Sequence, residues 1–169
     1  PKTIFASREN FNTNVVSLAS YAFGQTFNIT PLHLIRAQAA CVNGGYLYEP
    51  YLVEQIGDDD GAVLYQHDAT PIRQVISEET SATVRECLEY VVASGTGKNG
   101  QVVGYRIGGK TGTADKTGSR TKDNPRGDVV VSFMCFAPAD DPQYILLVTM
   151  DTPSRNTGVY VSGGNMVAP

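Results

Sequence analysis

The chain has 169 residues, about one domain's worth, with 41% apolar and 18% charged residues and a net charge of -4. The acidic balance argues against a nucleic-acid binder, which needs a basic stripe. No apolar run approaches the roughly 18 residues that a membrane-spanning helix needs. The chain starts at Pro1 rather than at methionine and is expected to be part of a longer protein.

Residues 1–13 read as polar and irregular, and residues 14–23 as a short helix ending at Gly24. Thr30 and Pro31 open a well-signalled helix. Thr30 caps it, Pro31 suits its first position, and Leu32, Ile35, Ala39 and Val42 form an apolar stripe. Asn43-Gly44-Gly45 ends it. Residues 46–56 read as extended, with a turn at Asp58-Asp59-Asp60-Gly61 and a returning hairpin strand at 62–66. Ser77 caps the next helix, Glu78 and Glu79 suit its first turn, and Val84, Cys87, Leu88, Val91 and Val92 are its predicted buried face. A glycine-rich loop covers 94–100. Strands are predicted over 105–113, 129–137 and 143–150, the last two joined by Pro138-Ala139-Asp140-Asp141-Pro142 as an antiparallel hairpin. The expected class is α+β: an antiparallel three-stranded sheet flanked by two main helices, with a small separate hairpin. Cys41, Cys87 and Cys135 are far apart among apolar neighbours, and with His33 and His67 they make no metal-ligand spacing. They are expected as buried, reduced thiols.

Chemistry concentrates at Gly109-Lys110-Thr111-Gly112-Thr113-Ala114. A Lys-Thr-Gly-Thr on a strand presents an ammonium and hydroxyls to an anionic substrate, and the glycine lets another backbone approach closely. A rival reading uses the same letters. Gly104 to Thr111 fits the phosphate-cradling pattern G-x-x-x-x-G-K-[ST], and the apolar stretch 144–151 ends in Asp151, as magnesium-holding strands do. A phosphate loop needs a helix directly behind it. Here Gly112, Gly118, Pro125 and Gly127 break the following stretch, which has no apolar face, so a strand is predicted instead.

Several blocks in order resemble the transpeptidase domain of penicillin-binding proteins, class B-like, over nearly the whole chain. They are Ser20-Tyr21-Ala22-Phe23-Gly24-Gln25, Ile29-Thr30-Pro31-Leu32-His33-Leu34 (with His33 where glutamine is usual) and Asn43-Gly44-Gly45 with Pro50. Gly95-Thr96-Gly97, Lys110-Thr111-Gly112-Thr113-Ala114, Ser132-Phe133, Phe136-Ala137-Pro138 and Gly163-Gly164 with Ala168-Pro169 complete the series. The Lys-Thr-Gly triplet accompanies Ser-x-x-Lys and Ser-x-Asn in this family. The resemblance implies that Lys110 holds a ligand carboxylate and polarises a neighbouring serine. It implies that Thr111 and Thr113 hydroxyls bind the same carboxylate, that the Thr113 N–H supplies part of an oxyanion hole, and that Gly112 lets substrate backbone lie against the strand. It implies no cofactor and no metal.

The family's earlier motifs have no match before Lys110. Ser119-Arg120-Thr121-Lys122 and Ser154-Arg155-Asn156 fit the patterns but come after it, the first inside the most polar loop. Residues 1–169 are therefore expected to be the C-terminal portion of such a domain, without its nucleophile and inactive alone. The implied parent is a serine D,D-transpeptidase that cross-links peptidoglycan stem peptides and binds β-lactams. It is implied to sit on the outer face of the bacterial cytoplasmic membrane by an N-terminal anchor, while the piece itself is soluble. A non-catalytic scaffold module is the alternative. Sheet residues Val129, Val131, Phe133, Ile145 and Leu147 are expected to lack partners, which favours a homodimer.

Overall fold

The structure is a computed structural model that describes residues 3–169. Two short helices, α1 (Arg8–Thr13) and α2 (Ser17–Ala22), lead to α3 (Pro31–Val42). A peripheral region follows, with β1 (Tyr46–Leu47) paired to β4 (Arg73–Gln74) and β2 (Gln55–Gly57) paired to β3 (Val63–Gln66). Then come α4 (Glu78–Ser94), a 3-10 turn at Lys98–Gly100, and the strands β5 (Gly108–Asp115), β6 (Val129–Ala137) and β7 (Tyr144–Asp151). A last short turn of helix, α5, covers Gly163–Met166. The main sheet is antiparallel in the order β5-β6-β7, so the α+β expectation holds.

The two main helices start where their caps stand. Thr30 Oγ1 accepts from the His33 N–H at 3.3 Å, with Pro31 in the first turn, and Ser77 Oγ accepts from the Thr80 N–H at 3.1 Å. Other expectations need correction. Residues 8–13 are helical, capped by Ser7, although α1 buries no residue and so leaves no apolar period to read. Residues 46–56 are not one strand. Tyr46 and Leu47 pair with residues nearly thirty positions away that no local pattern announces, and Gln55 and Ile56 start the separate hairpin with β3. The 105–113 strand begins later, at Gly108, because Gly104 turns the chain at φ +87°. Cys41 and Cys135 are half-buried and Cys87 is exposed; all three thiols are free. Burial pushes the Cys41 and Cys135 thiols above their ordinary pKa.

Strand β6 is covered on both faces. Met134 and Phe136 pack with Val42 of α3 and Ala139, joined by Leu88 of α4 and by Ile145 and Leu147 of β7. On the other face Phe133 packs with Val92 and Ala168, joined by Ile107, Cys135 and Val167. The expectation that Val129, Val131 and Phe133 lack partners is therefore wrong: all three are buried. The exposed apolar row lies on β7 instead, at Tyr144, Leu146, Val148 and Met150. Helix α5 lies against β5 and β6, and Val167 and Ala168 after it pack beside Phe133.

Arg106 ties three segments at the entry to β5. Its guanidinium donates to both Glu89 carboxylate oxygens of α4, at 2.7 and 2.8 Å, and lies 3.2 Å from Asp140. Its carbonyl accepts from the Ala139 N–H at 2.9 Å. Arg106 holds the Glu89 carboxyl below its ordinary pKa. A depressed carboxyl stabilises the fold above its unfolded pKa and stops doing so as pH falls through its folded one. Glu89→Gln should therefore lower the thermal midpoint at pH 7, and the gap to the wild type should close as pH drops below the ordinary glutamate range. Thermal scans across pH 3–7 check this.

The chain end is pinned to the sheet at Gly163. A Cβ there would overlap the Ser132 carbonyl oxygen and come within 2.7 Å of the Gly112 carbonyl oxygen. Both are backbone atoms of paired strands and have little room to move. Gly163→Ala is expected to cost about 2 kcal/mol or more, read by chemical denaturation.

Candidate active-site wall on strand β5

Among the described residues strand β5 pairs only with β6, which leaves its other edge open. Opposed residues of an antiparallel pair share a face. Lys110 and Gly112 stand opposite Met134 and Ser132, and Thr111 and Thr113 opposite Phe133 and Val131. Lys110 and Thr113 are exposed; Thr111 and Gly112 are half-buried. The sequence motif thus lies on an edge strand, with the cation on one face and the two threonines on the other. A peptide laid along this edge would meet both.

The Lys110 ammonium donates to the Thr111 carbonyl at 2.7 Å, and no carboxylate among the described residues lies within ion-pair distance of it. Two other cations near the sheet are paired. Lys116 meets Asp151 at 2.7 Å, and Arg120 meets Asp115 at 2.8 Å. Lys116 holds the Asp151 carboxyl below its ordinary pKa, helped by the Thr152 hydroxyl. An exposed ammonium whose only partner is its neighbour's carbonyl is available to an incoming anion.

Behind Thr111 lies the loop that follows α4. Thr96 Oγ1 stands 3.0 Å from Thr111 Oγ1. Asn99 Nδ2 donates to the Gly164 carbonyl at 2.8 Å, which joins this loop to α5. The glycines here have a packing reason. A Cβ at Gly97, Gly100 or Gly109 would press on the Phe133 ring, at 3.2, 2.8 and 2.8 Å, and one at Gly164 would overlap the Thr96 carbonyl oxygen. On the opposite face a Cβ at Gly112 would overlap Ser132 Oγ. The sequence alone assigns Thr96 no role. Gly95-Thr96-Gly97 stands in the sequence as one of the blocks that carry the family resemblance, and its pairing with Thr111 depends on how the loop folds back.

The rival phosphate loop finds no support in this geometry. Gly109, Lys110 and Thr111 lie inside a strand that runs on to Asp115, and the chain then turns, closed by the Lys116 N–H donating to the Asp128 carbonyl at 2.9 Å. The two lookalike motifs are structural. The Ser119 hydroxyl donates to the Lys116 carbonyl at 2.7 Å and accepts from the Asp128 N–H at 2.8 Å, in a turn rather than at a helix start. Ser154 Oγ accepts from the Asn156 N–H at 3.2 Å in the segment after β7. Two shallow depressions, of about 150 and 210 Å³, are lined around Arg106 and around Ile35; neither includes Lys110. The site is one open wall.

Comparison with known proteins places this wall in a family. The model of the penicillin binding protein transpeptidase domain matches residues 5–166. Stage V sporulation protein D of Bacillus subtilis is 44% identical over 157 residues, covering 91% of this chain and 23% of that protein. The probable peptidoglycan D,D-transpeptidase FtsI of Caulobacter vibrioides is 31% identical over 165 residues, covering 90% of this chain and 26% of that protein. Among solved structures, penicillin-binding protein 3 of Mycobacterium tuberculosis complexed with aztreonam superposes with a TM-score of 0.70 at 29% identity, covering 83% of this chain and 33% of that one. The chain therefore spans about a quarter of the length of the curated relatives it matches. It belongs to the penicillin-binding protein transpeptidase family.

Proposed function

We propose that this member of the penicillin-binding protein transpeptidase family is the anion-binding wall of a serine D,D-transpeptidase that cross-links peptidoglycan stem peptides and is acylated by β-lactams. The observation that carries the reading is Lys110, free of any carboxylate partner among the described residues, beside Thr111, Gly112 and Thr113 on an open strand edge. A stem peptide ending in acyl-D-Ala-D-Ala and a penicillin share two features: an acyl carbon to attack and a carboxylate nearby. Lys110 attracts that carboxylate, and the Thr111 and Thr113 hydroxyls donate to it. Gly112 keeps the strand low enough for substrate backbone to lie along it.

Acyl transfer then needs a serine activated by a base. The serine oxygen attacks the acyl carbon, and the Thr113 N–H serves as one donor to the developing oxyanion. D-alanine leaves with the proton, and an amine of a second stem peptide takes the acyl group from the serine. The nucleophile belongs on a helix carrying Ser-x-x-Lys, where residues three apart share a face. No such motif lies on a helix among the described residues. The chain is thus read as the C-terminal part of the domain, with the nucleophile in another segment of the whole protein. The whole protein is read as working on the outer face of the cytoplasmic membrane, held there by an N-terminal anchor. Among the described residues no helix is long and apolar enough to cross a membrane.

Two outcomes follow. Intact-mass spectrometry of the 169-residue chain after incubation with a penicillin should show no covalent adduct, whereas the longer protein carrying an upstream Ser-x-x-Lys helix should gain one. An adduct on Ser119 would overturn this assignment of the nucleophile. In that longer protein Lys110→Ala should slow penicillin acylation by about a hundredfold or more, since it removes a charged group aimed at the ligand carboxylate. Stopped-flow acylation measures it. A wild-type rate in Lys110→Ala would overturn the anion-binding role of Lys110, and no acylation of the longer protein at all would move the chain to a non-catalytic scaffold.

A further inference from the structure

We propose that Thr96 is a positioning residue for Thr111. Its hydroxyl donates to Thr111 Oγ1 and so leaves the Thr111 proton free to point at a ligand carboxylate. The proposal rests on the anion-binding reading of β5 and deepens it by assigning a role outside the Lys-Thr-Gly-Thr run.

The geometry points this way in two steps. First, the hydroxyl oxygens of Thr96 and Thr111 are 3.0 Å apart, and either can be the donor. A hydroxyl has one proton and can accept twice. If Thr111 donates to Thr96, its proton is already used and it can only accept, which an anion does not want. If Thr96 donates, Thr111 accepts from behind and donates in front. An arriving carboxylate selects this second arrangement, and acceptance from behind strengthens the forward bond.

Second, Thr96 is exposed, yet its backbone is held on several sides. The N–H groups of Gly95 and Gly97 both donate to the Val91 carbonyl at the end of α4, at 3.0 and 3.1 Å. Gly97 and Gly100 sit against the Phe133 ring, and Gly164 sits against the Thr96 carbonyl. Asn99 closes the arrangement through the Gly164 carbonyl at 2.8 Å. This bracing closes the end of α4 and packs the sheet, and it also fixes where the Thr96 hydroxyl stands relative to Thr111.

The test is a double-mutant cycle in the full-length protein, read as the second-order rate of acylation by a fluorescent penicillin. Thr96→Val keeps the shape and removes the hydroxyl. It should slow acylation about fivefold, the loss of one neutral hydrogen bond, with the change in pre-acylation affinity rather than in the limiting rate. Thr111→Val should slow acylation about tenfold or more, the loss of a bond to a charged group. On the Thr111→Val background, Thr96→Val should add nothing further. Thr96→Ser should restore the rate to within about twofold, because the donor returns. Thr96→Ala repeats the measurement should the valine disturb the loop. A wild-type rate in Thr96→Val and Thr96→Ala, with Thr111→Val impaired, overturns the positioning role and leaves the anion-binding reading standing. A Thr96→Val defect that persists in full on the Thr111→Val background also overturns it, since the hydroxyls then act independently. A wild-type rate in Thr111→Val overturns the anion-binding reading itself.

Discussion

Phe133 and Phe136 stand on opposite faces of β6, and each ring occupies space that glycines leave open. Phe136 lies over Gly108, where a Cβ would overlap the ring, and Phe133 lies against Gly97, Gly100 and Gly109. Both are buried. Large rings against bare backbone put β5 close to β6 and draw the loop after α4 down onto the sheet. With β5 so held, Lys110 and Thr111 follow at fixed positions beyond Gly109. A methyl group at any of these glycines would lift one layer from another, and in a close-packed interior such displacements propagate. The β5 edge is thus as well defined as the packing of two phenylalanines.

The chain end serves the same purpose from above. Gly163 and Gly164 approach the sheet and the Thr96 carbonyl where no side chain fits, and Ala168 packs on Phe133. The loop carrying Thr96 is therefore enclosed between the end of α4, the sheet and α5. Thr111 gains a neighbour whose oxygen is placed to about the precision of a hydrogen bond. Segments that are distant in sequence converge on one strand edge, which leaves the edge itself free.

Much of this was legible in the sequence, for physical reasons that differ by element. The helices α3 and α4 announce themselves because Thr30-Pro31 and Ser77 satisfy first-turn N–H groups locally. The strand character of residues 110–113 follows from what comes after them, a stretch no helix could use. Resemblance to the family rested on short blocks whose spacing survives divergence. What could not be read were contacts between distant segments. The two-residue pairing of Tyr46-Leu47 with Arg73-Gln74 has no local signature. Nor has the meeting of Thr96 with Thr111. The exposed row fell on Tyr144, Leu146, Val148 and Met150 rather than on β6 because alternation shows that a strand has two faces. It does not show which strand is central, and β6 proved covered on both sides.

An open strand edge is a hazard, since its free backbone groups can recruit another chain. A charged side chain on the edge is one of the ways proteins suppress such pairing, and lysine serves well because its hydration is costly to strip. Lys110 meets that need on β5. It is exposed and has no carboxylate partner among the described residues, while Lys116, Arg120 and Arg106 are neutralised nearby. Under the proposed function the same features would make it a receptor for one class of partner. A strand arriving with an apolar side chain opposite Lys110 would desolvate the ammonium for nothing. A peptide arriving with its carboxylate there would compensate the charge and could then use the free edge. In the proposed reading one lysine excludes general strand addition and admits an anionic chain end, so protection of the edge and selection of the ligand would be the same interaction.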